Sequence, residues 1–185
     1  MMSGSFNQKR LLPYALGPVI ARGGMAEVYI ARKITNQFQK VVAIKRILPH
    51  YAFDRDFIAM LRQEAQISSQ LQHSNIIQVF DFGYVEGSIG LVMEFIDGCD
   101  LRALLSNSER QNTRVEVPAA IYIAAEVAAG LHFVHNARNA QGQELSLVHR
   151  DVSPQNVLIS WAGKIKVIDF GIADSKDNSD ENTRE

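Results

Sequence analysis

An intrachain disulfide is closed to this chain, because it holds a single cysteine, Cys99, and a bridge needs two. A lone thiol fits a reducing compartment, and Cys99 reads as a small, half-buried side chain. An excess of either charge is missing too. Nineteen lysines and arginines against twenty aspartates and glutamates leave a formal net charge of −1. That gives no bulk electrostatic grip on nucleic acid or an anionic membrane. Long hydrophobic runs are scarce. The most apolar stretch, Pro118–Val134, is broken by Glu126 and Gly130, so the sequence reads as having no membrane-spanning segment. Residues 1–10 show neither the apolar centre nor the cleavage pattern of a secretory signal. These absences lead to the expectation of a soluble, cytoplasmic protein. The hydrophobic share, 46%, suffices for a packed core.

What is there divides at Asp97-Gly98. Residues 1–13 are polar and read as a flexible N-terminus. Tyr14–Ala21, Ala26–Arg32 and Val41–Ile47 are rich in Val, Ile and Tyr and are punctuated by Gly23-Gly24 and a polar stretch. They read as three antiparallel strands. In 54–72 the apolar residues Phe57, Met60, Leu61, Ala65, Ile67 and Leu71 recur near helical spacing. Ile76–Tyr84 and Ile89–Ile96 read as two more strands. Beyond the break come a short helix over Leu101–Leu105 and a long Ala-rich helix over Ala119–Asn136, with Pro118 at a favourable first position. That helix is apolar almost all round and expects burial. Asn139–Glu144 reads as a polar loop. Short strands follow at Val157–Ile159 and Lys164–Ile168, and 174–185 reads as a disordered polar tail. The fold class is α+β.

Four short patterns lie on these elements. Ala21-Arg22-Gly23-Gly24-Met25-Ala26-Glu27-Val28 joins the first two strands. Glycine lets backbone approach phosphate oxygens with no Cβ between. Lys45, in Val42-Ala43-Ile44-Lys45, is a lysine in an apolar strand, which is costly unless paired. Glu64 on the following helix is an available partner. His149-Arg150-Asp151-Val152-Ser153-Pro154-Gln155-Asn156 places an acid and an amide where one loop can aim both at a single pocket. Asp169-Phe170-Gly171 follows a strand directly, and a carboxylate there suits a hard cation such as Mg²⁺.

In this order, from about Tyr14 to Ala173, the four resemble the eukaryotic-like serine/threonine protein kinases of bacteria. The resemblance implies a protein-kinase-like fold. Residues 14–96 would form a five-stranded N-lobe with its helix and the hinge, and 97–173 a partial, mainly helical C-lobe. It implies ATP and Mg²⁺ as cofactors and a protein with a serine or threonine hydroxyl as acceptor. Asp151 would be the base, Asn156 and Asp169 the metal ligands, and Lys45 the phosphate contact held by Glu64. Gly23 and Gly24 would cover the phosphates. Val28, Ala43 and Leu158 would sandwich adenine, with Met93 as gatekeeper, Glu94 and Ile96 as hinge contacts and Asp100 at the ribose. Arg150 would meet a phosphorylated residue of the activation segment.

Three departures qualify this. Ala21 and Ala26 stand at two glycine positions of the family pattern. Ser153 stands where serine/threonine kinases carry lysine, so charge stabilisation of the transferring phosphate is reduced, although Pro154 keeps the serine/threonine character of the loop. The sequence ends fourteen residues after Gly171, without an A-P-E motif, and so reads as a truncated domain. An ATP-binding, non-catalytic module and an inactive fragment are the alternative readings. Truncation would leave an apolar patch exposed on the helix 119–136, open to self-association.

Overall fold

The computed structural model describes residues 14–34, 39–52, 54–139 and 141–169, with the side chains of Ile34, Asp56, Met60 and Glu64 left out. The expectations for 1–13, for Phe170 and Gly171, and for 174–185 lie outside the described residues. Two compact units emerge. One runs to Ala65 and includes Val79–Phe95; the other comprises Gln66–Gln78 and the chain from Ile96 onward.

The first unit is built on a five-stranded antiparallel sheet. Its strands are β1 (Tyr14–Arg22), β2 (Ala26–Ile34), β3 (Gln39–Ile47), β4 (Val79–Val85) and β5 (Ser88–Glu94), in the order β1-β2-β3-β5-β4. Their Val, Ile and Tyr content suits a pleated, half-buried surface. Alternation gives the sheet two apolar faces. Ala31, Val42, Ile44, Val85 and Val92 form one core, flanked by Tyr14 and Leu16. Ala26, Ile47 and Ile89 form the other, against Phe57, Ile58 and Leu61 of α1 (Arg55–Ser68). Burying each such Val or Ile contributes about 1.5–3 kcal/mol.

The helix α1 begins where Asp54 Oδ1 accepts from Phe57 N at 3.0 Å, an N-cap bond that satisfies a free amide. It stops four residues before Gln72. Gln70 N and Leu71 N turn back to Ile67 O and Ser68 O, and the paired serines Ser68-Ser69 favour such local bonding over helix. Ile76 and Ile77 do not open β4 as the sequence predicts. They pair with a strand of the second unit, and β4 starts at Val79. The β4–β5 hairpin turns on Glu86 and Gly87, both at positive φ (46° and 80°), the geometry two-residue hairpins favour.

The second unit holds β6 (Gly98–Asp100), α2 (Leu101–Arg110), α3 (Val117–His135), a 3-10 turn at Pro154–Asn156, β7 (Val157–Ser160) and β8 (Ile165–Val167). The sheet order is β6-β7-β8. The sequence reading took Gly98 for a break. It is instead the start of β6, packed so tightly that a Cβ there would sit 2.0 Å from Ile159 O. Asp100 caps α2, its Oδ1 accepting from Ala103 N at 2.7 Å. This helix runs five residues beyond the expected Leu105, carried by polar residues that need no core. Leu71, Ile76, Val134, Ala137 and Val167 form the core.

Burial of the long helix is not what the sequence led us to expect. Only Gly130 and Val134 of α3 are buried, while Val117 is 70% and Ile121 64% exposed. The expected apolar patch is present. The same helix bears on the expectation about membranes. By length and composition α3, with mean hydropathy 1.6, is long and apolar enough to cross one. Within the unit it packs on β8 through Val134, and its Glu126 is bonded to Asn75. At the two ends of the polar stretch expected as a loop, Asn139 Oδ1 accepts from Gln141 N and Gln143 N, and Arg138 meets Glu144 at 2.6 Å, forming a hairpin-like closure.

Candidate active site

In the second unit the candidate groups gather around Asn156, which is 7% exposed. Pro154 starts the 3-10 turn with its fixed φ, and Asn156 N closes it on Ser153 O at 2.9 Å. The Asn156 side chain then reaches back. Its Nδ2 donates to Asp151 Oδ2 at 2.8 Å and to Asp151 O at 3.0 Å. Both partners are acceptors, so the amide nitrogen must face Asp151 and Oδ1 is turned away. That oxygen is the atom left for a cation. Asn156 O accepts from Ile168 N at 3.0 Å, which sets Asp169 one residue from this node. His149, 1% exposed, bridges from Nε2 to Ile168 O at 3.0 Å. Asp151 and Asn156 are thus bonded directly, and Asp169 is joined to them through Ile168, the residue before it. The available donors, an amide oxygen and a carboxylate, are hard oxygen ligands of the kind Mg²⁺ takes.

Two residues of this site, Arg150 and Asp169, hold φ of 61° and 56°. A non-glycine residue there costs about 1–3 kcal/mol, and such strain persists where its surroundings over-determine it. Nothing in the residue types announced it. Sequence reasoning also passed over His149 as a brace and over Asn75, Glu126 and Lys166. A lysine flanked by Ile165 and Val167 in a strand was the available signal for the last.

Around the loop, Asp100 and Leu158 face one another across β6 and β7. One carboxylate oxygen of Asp100 is committed to the α2 cap. The Ser153 hydroxyl oxygen is buried and makes no hydrogen bond among the described residues.

In the first unit the register does the positioning. Val28 lies opposite Lys45, Lys45 opposite Leu91, and Ala43 opposite Met93. Directly opposed residues share a face, so Val28, Ala43, Lys45 and Met93 lie on one side of the sheet. Ala43 and Met93 are buried and Lys45 is half-buried. The lysine lines a small cavity with Ile47, Leu61, Phe82, Ile89 and Leu91. Glu64 lies on α1, but its side chain is outside the description. Glu94 pairs with Val42 at the end of β5, and Ile96 follows in the second unit. Gly23 and Gly24 form the exposed β1–β2 turn, where Gly23 N donates to Ala26 O at 2.8 Å.

Beside that turn, Tyr29 donates its hydroxyl to Glu27 Oε2 at 2.6 Å and accepts from Arg46. Glu27 also faces Arg22 at 3.2 Å. The Tyr29 hydroxyl bond, with Arg22 and Arg46 near, holds the Glu27 carboxyl below its usual value against some opposing desolvation. The same bond raises the Tyr29 phenol. Burial, then Asp100, pushes the Cys99 thiol up.

Residues 14–185 match the protein kinase domain family. The chain belongs to that family. This kinase domain is 40% identical over 162 residues to the tyrosine-protein kinase MasK of Myxococcus xanthus, covering 87% of the chain and 25% of the relative. It is 37% identical over 160 residues to the serine/threonine-protein kinase PrkC of Bacillus subtilis, covering 86% of the chain and 22% of the relative. The solved kinase domain of Mycobacterium tuberculosis PknI superimposes with a TM-score of 0.69 at 27% identity, covering 89% of this chain and 62% of that one. The kinase domain therefore spans about a quarter of these curated relatives and about three fifths of the solved domain. The five-stranded antiparallel sheet with its helix is the expected N-lobe fold.

Proposed function

We propose that this kinase domain takes part in transferring the γ-phosphate of ATP to serine or threonine hydroxyls of proteins. The observation that carries the reading is the bonding of Asn156 to both Asp151 and the backbone before Asp169. It supports Asp151 as the group that orients and deprotonates the acceptor hydroxyl. Asn156 Oδ1 and the Asp169 carboxylate would hold Mg²⁺, which when bound neutralises phosphate charge. Lys45, restrained by Glu64, would contact phosphate, and the turn at Gly23 and Gly24 would lie over it. Val28, Ala43 and Leu158 would bracket adenine, with Met93 behind it, the Glu94 and Ile96 backbone at its edge and Asp100 at the ribose. We place the protein in the cytoplasm, with self-association through the exposed face of α3.

Ser153 favours a second reading, in which the domain binds nucleotide with little turnover, because a hydroxyl brings no positive charge to the transferring phosphate. The tyrosine kinase among the relatives makes the acceptor a point to test. Incubation with Mg-ATP and acceptor peptides bearing Ser, Thr or Tyr, followed by phosphoamino-acid analysis, decides it. Phosphoserine or phosphothreonine formed by the parent and lost in Asp151→Ala is the expected result. Mg-ATP binding without transfer establishes the second reading. Activity in Asp151→Ala equal to the parent's removes Asp151 from its role.

A further inference from the structure

The segment after α1 is fastened to the strand that leads to Asp169. Val167 N donates to Asn75 O at 2.8 Å, and Ile77 N donates to Val167 O at 3.0 Å, so residues 75–77 run as a parallel partner of β8. Side chains add to this pairing. Lys166 Nζ donates to Ile76 O at 3.1 Å. Asn75 Nδ2 donates to Ile165 O at 3.2 Å and to Glu126 Oε2 on α3 at 2.6 Å. Lys166 is 7% and Asn75 4% exposed.

Burying an ammonium is expensive, and an apolar side chain of similar volume would commonly be as stable or more so. What the polar version adds is directional. An apolar pair tolerates sliding, whereas bonds from Lys166 and Asn75 to named carbonyls admit one register. That register matters because Asp169 lies two residues past Val167, at positive φ, with Ile168 bonded on both sides, to Asn156 O and to His149. A slip in β8 would carry Asp169 with it.

We propose that Lys166 and Asn75 are positioning residues for Asp169. By locking β8 against residues 75–77 and α3, they fix where the Asp169 carboxylate is presented. The inference rests on the reading of Asp169 as a metal ligand. Outer partners of such ligands change metal affinity by about 10–100-fold when removed.

The test uses the whole chain and the variants Lys166→Met and Asn75→Leu, with three readouts. The thermal midpoint of Lys166→Met is expected to equal or exceed the parent's. Amide hydrogen exchange at Ile168 and Asp169 is expected to accelerate in both variants, while the β1–β3 amides stay unchanged. For a fluorescent ATP analogue, half-saturating Mg²⁺ is expected to rise about tenfold or more, with binding in EDTA unaltered. A purely structural role would lower the midpoint and weaken binding with and without Mg²⁺ alike, and that result overturns the proposal. Unchanged exchange at Ile168 and Asp169 overturns it as well. If the parent itself binds no Mg-nucleotide, the proposed function fails, and the exchange readout alone decides whether these residues position Asp169.

Discussion

Asn156 Nδ2 lies 2.8 Å from Asp151 Oδ2 and donates a hydrogen bond to it. A carboxylate held this way keeps one orientation before any substrate arrives, and orientation is a large part of what an active site supplies. Asn156→Ala removes both side-chain bonds to Asp151 and keeps the main-chain bond from Ile168 N to the carbonyl of residue 156. The expected cost is about 1–3 kcal/mol of stability, read by thermal or urea unfolding. Any phosphoryl transfer by the parent should fall about 10²–10⁴-fold, the range for a displaced general base.

Tyr29→Phe deletes the hydroxyl that holds Glu27 below the usual carboxylate range. The Glu27 carboxyl should then titrate at higher pH, which carboxyl NMR shifts would follow. The sign for stability comes from the depressed value. In the parent, Glu27 contributes stability above its unfolded pKa and loses it as pH falls through the folded one. The variant should therefore show less acid-dependent loss from this residue, and equal titration curves would contradict the assignment.

Cys99, half-buried beside Asp100, has its thiol pushed up by burial first and by that carboxylate second. The thiolate is the reactive form. Alkylation by iodoacetamide near pH 8 should run slower than for a free cysteine peptide and speed up modestly in Asp100→Asn. Labelling as fast as the peptide would refute this.

On α3, Val117 and Ile121 lie one helical turn apart and expose most of their surface. Val117→Ser with Ile121→Ser should reduce binding of an apolar dye and any concentration-dependent sedimentation. Folding stability should move by no more than about 0.5 kcal/mol each, as for surface positions without special features. Dye binding that persists unchanged would place the apolar surface elsewhere.

Much of this was legible because it depends on local chemistry. The turns at Gly23-Gly24 and Glu86-Gly87 separate runs of β-branched residues, so the five strands of the first unit could be read directly, while β6 was missed. The quoted patterns put Asp151 and Asn156 on one loop, and the structure ties the residue before Asp169 to that loop through Asn156 O. What could not be read depends on distant partners. Ile76 and Ile77 carry strand-forming side chains, and only the presence of β8 shows which strand they join. Gly98 reads as a break until Ile159 is seen pressing on it. The α3 composition asks for burial, yet what surrounds a helix is not written in its own residues. The left-handed backbone of Arg150 and Asp169 lies in segments tied together by His149 and Asn156 through Ile168, contacts between residues far apart in sequence.

Gly130 gives the packing of α3 a geometric consequence. A methyl group added there would meet Ile76 Cδ1 at 3.1 Å and Asn75 O at 3.2 Å, closer than comfortable contact. The bare backbone at this point acts as a depth stop, letting the helix settle until main chain meets main chain. The segment that α3 approaches here carries on to β8, because Asn75 O accepts from Val167 N and Asn75 Nδ2 donates to Ile165 O. Swapping that glycine for a larger residue would therefore press on Asn75 and Ile76 first, and through their bonds on the strand that leads to Asp169.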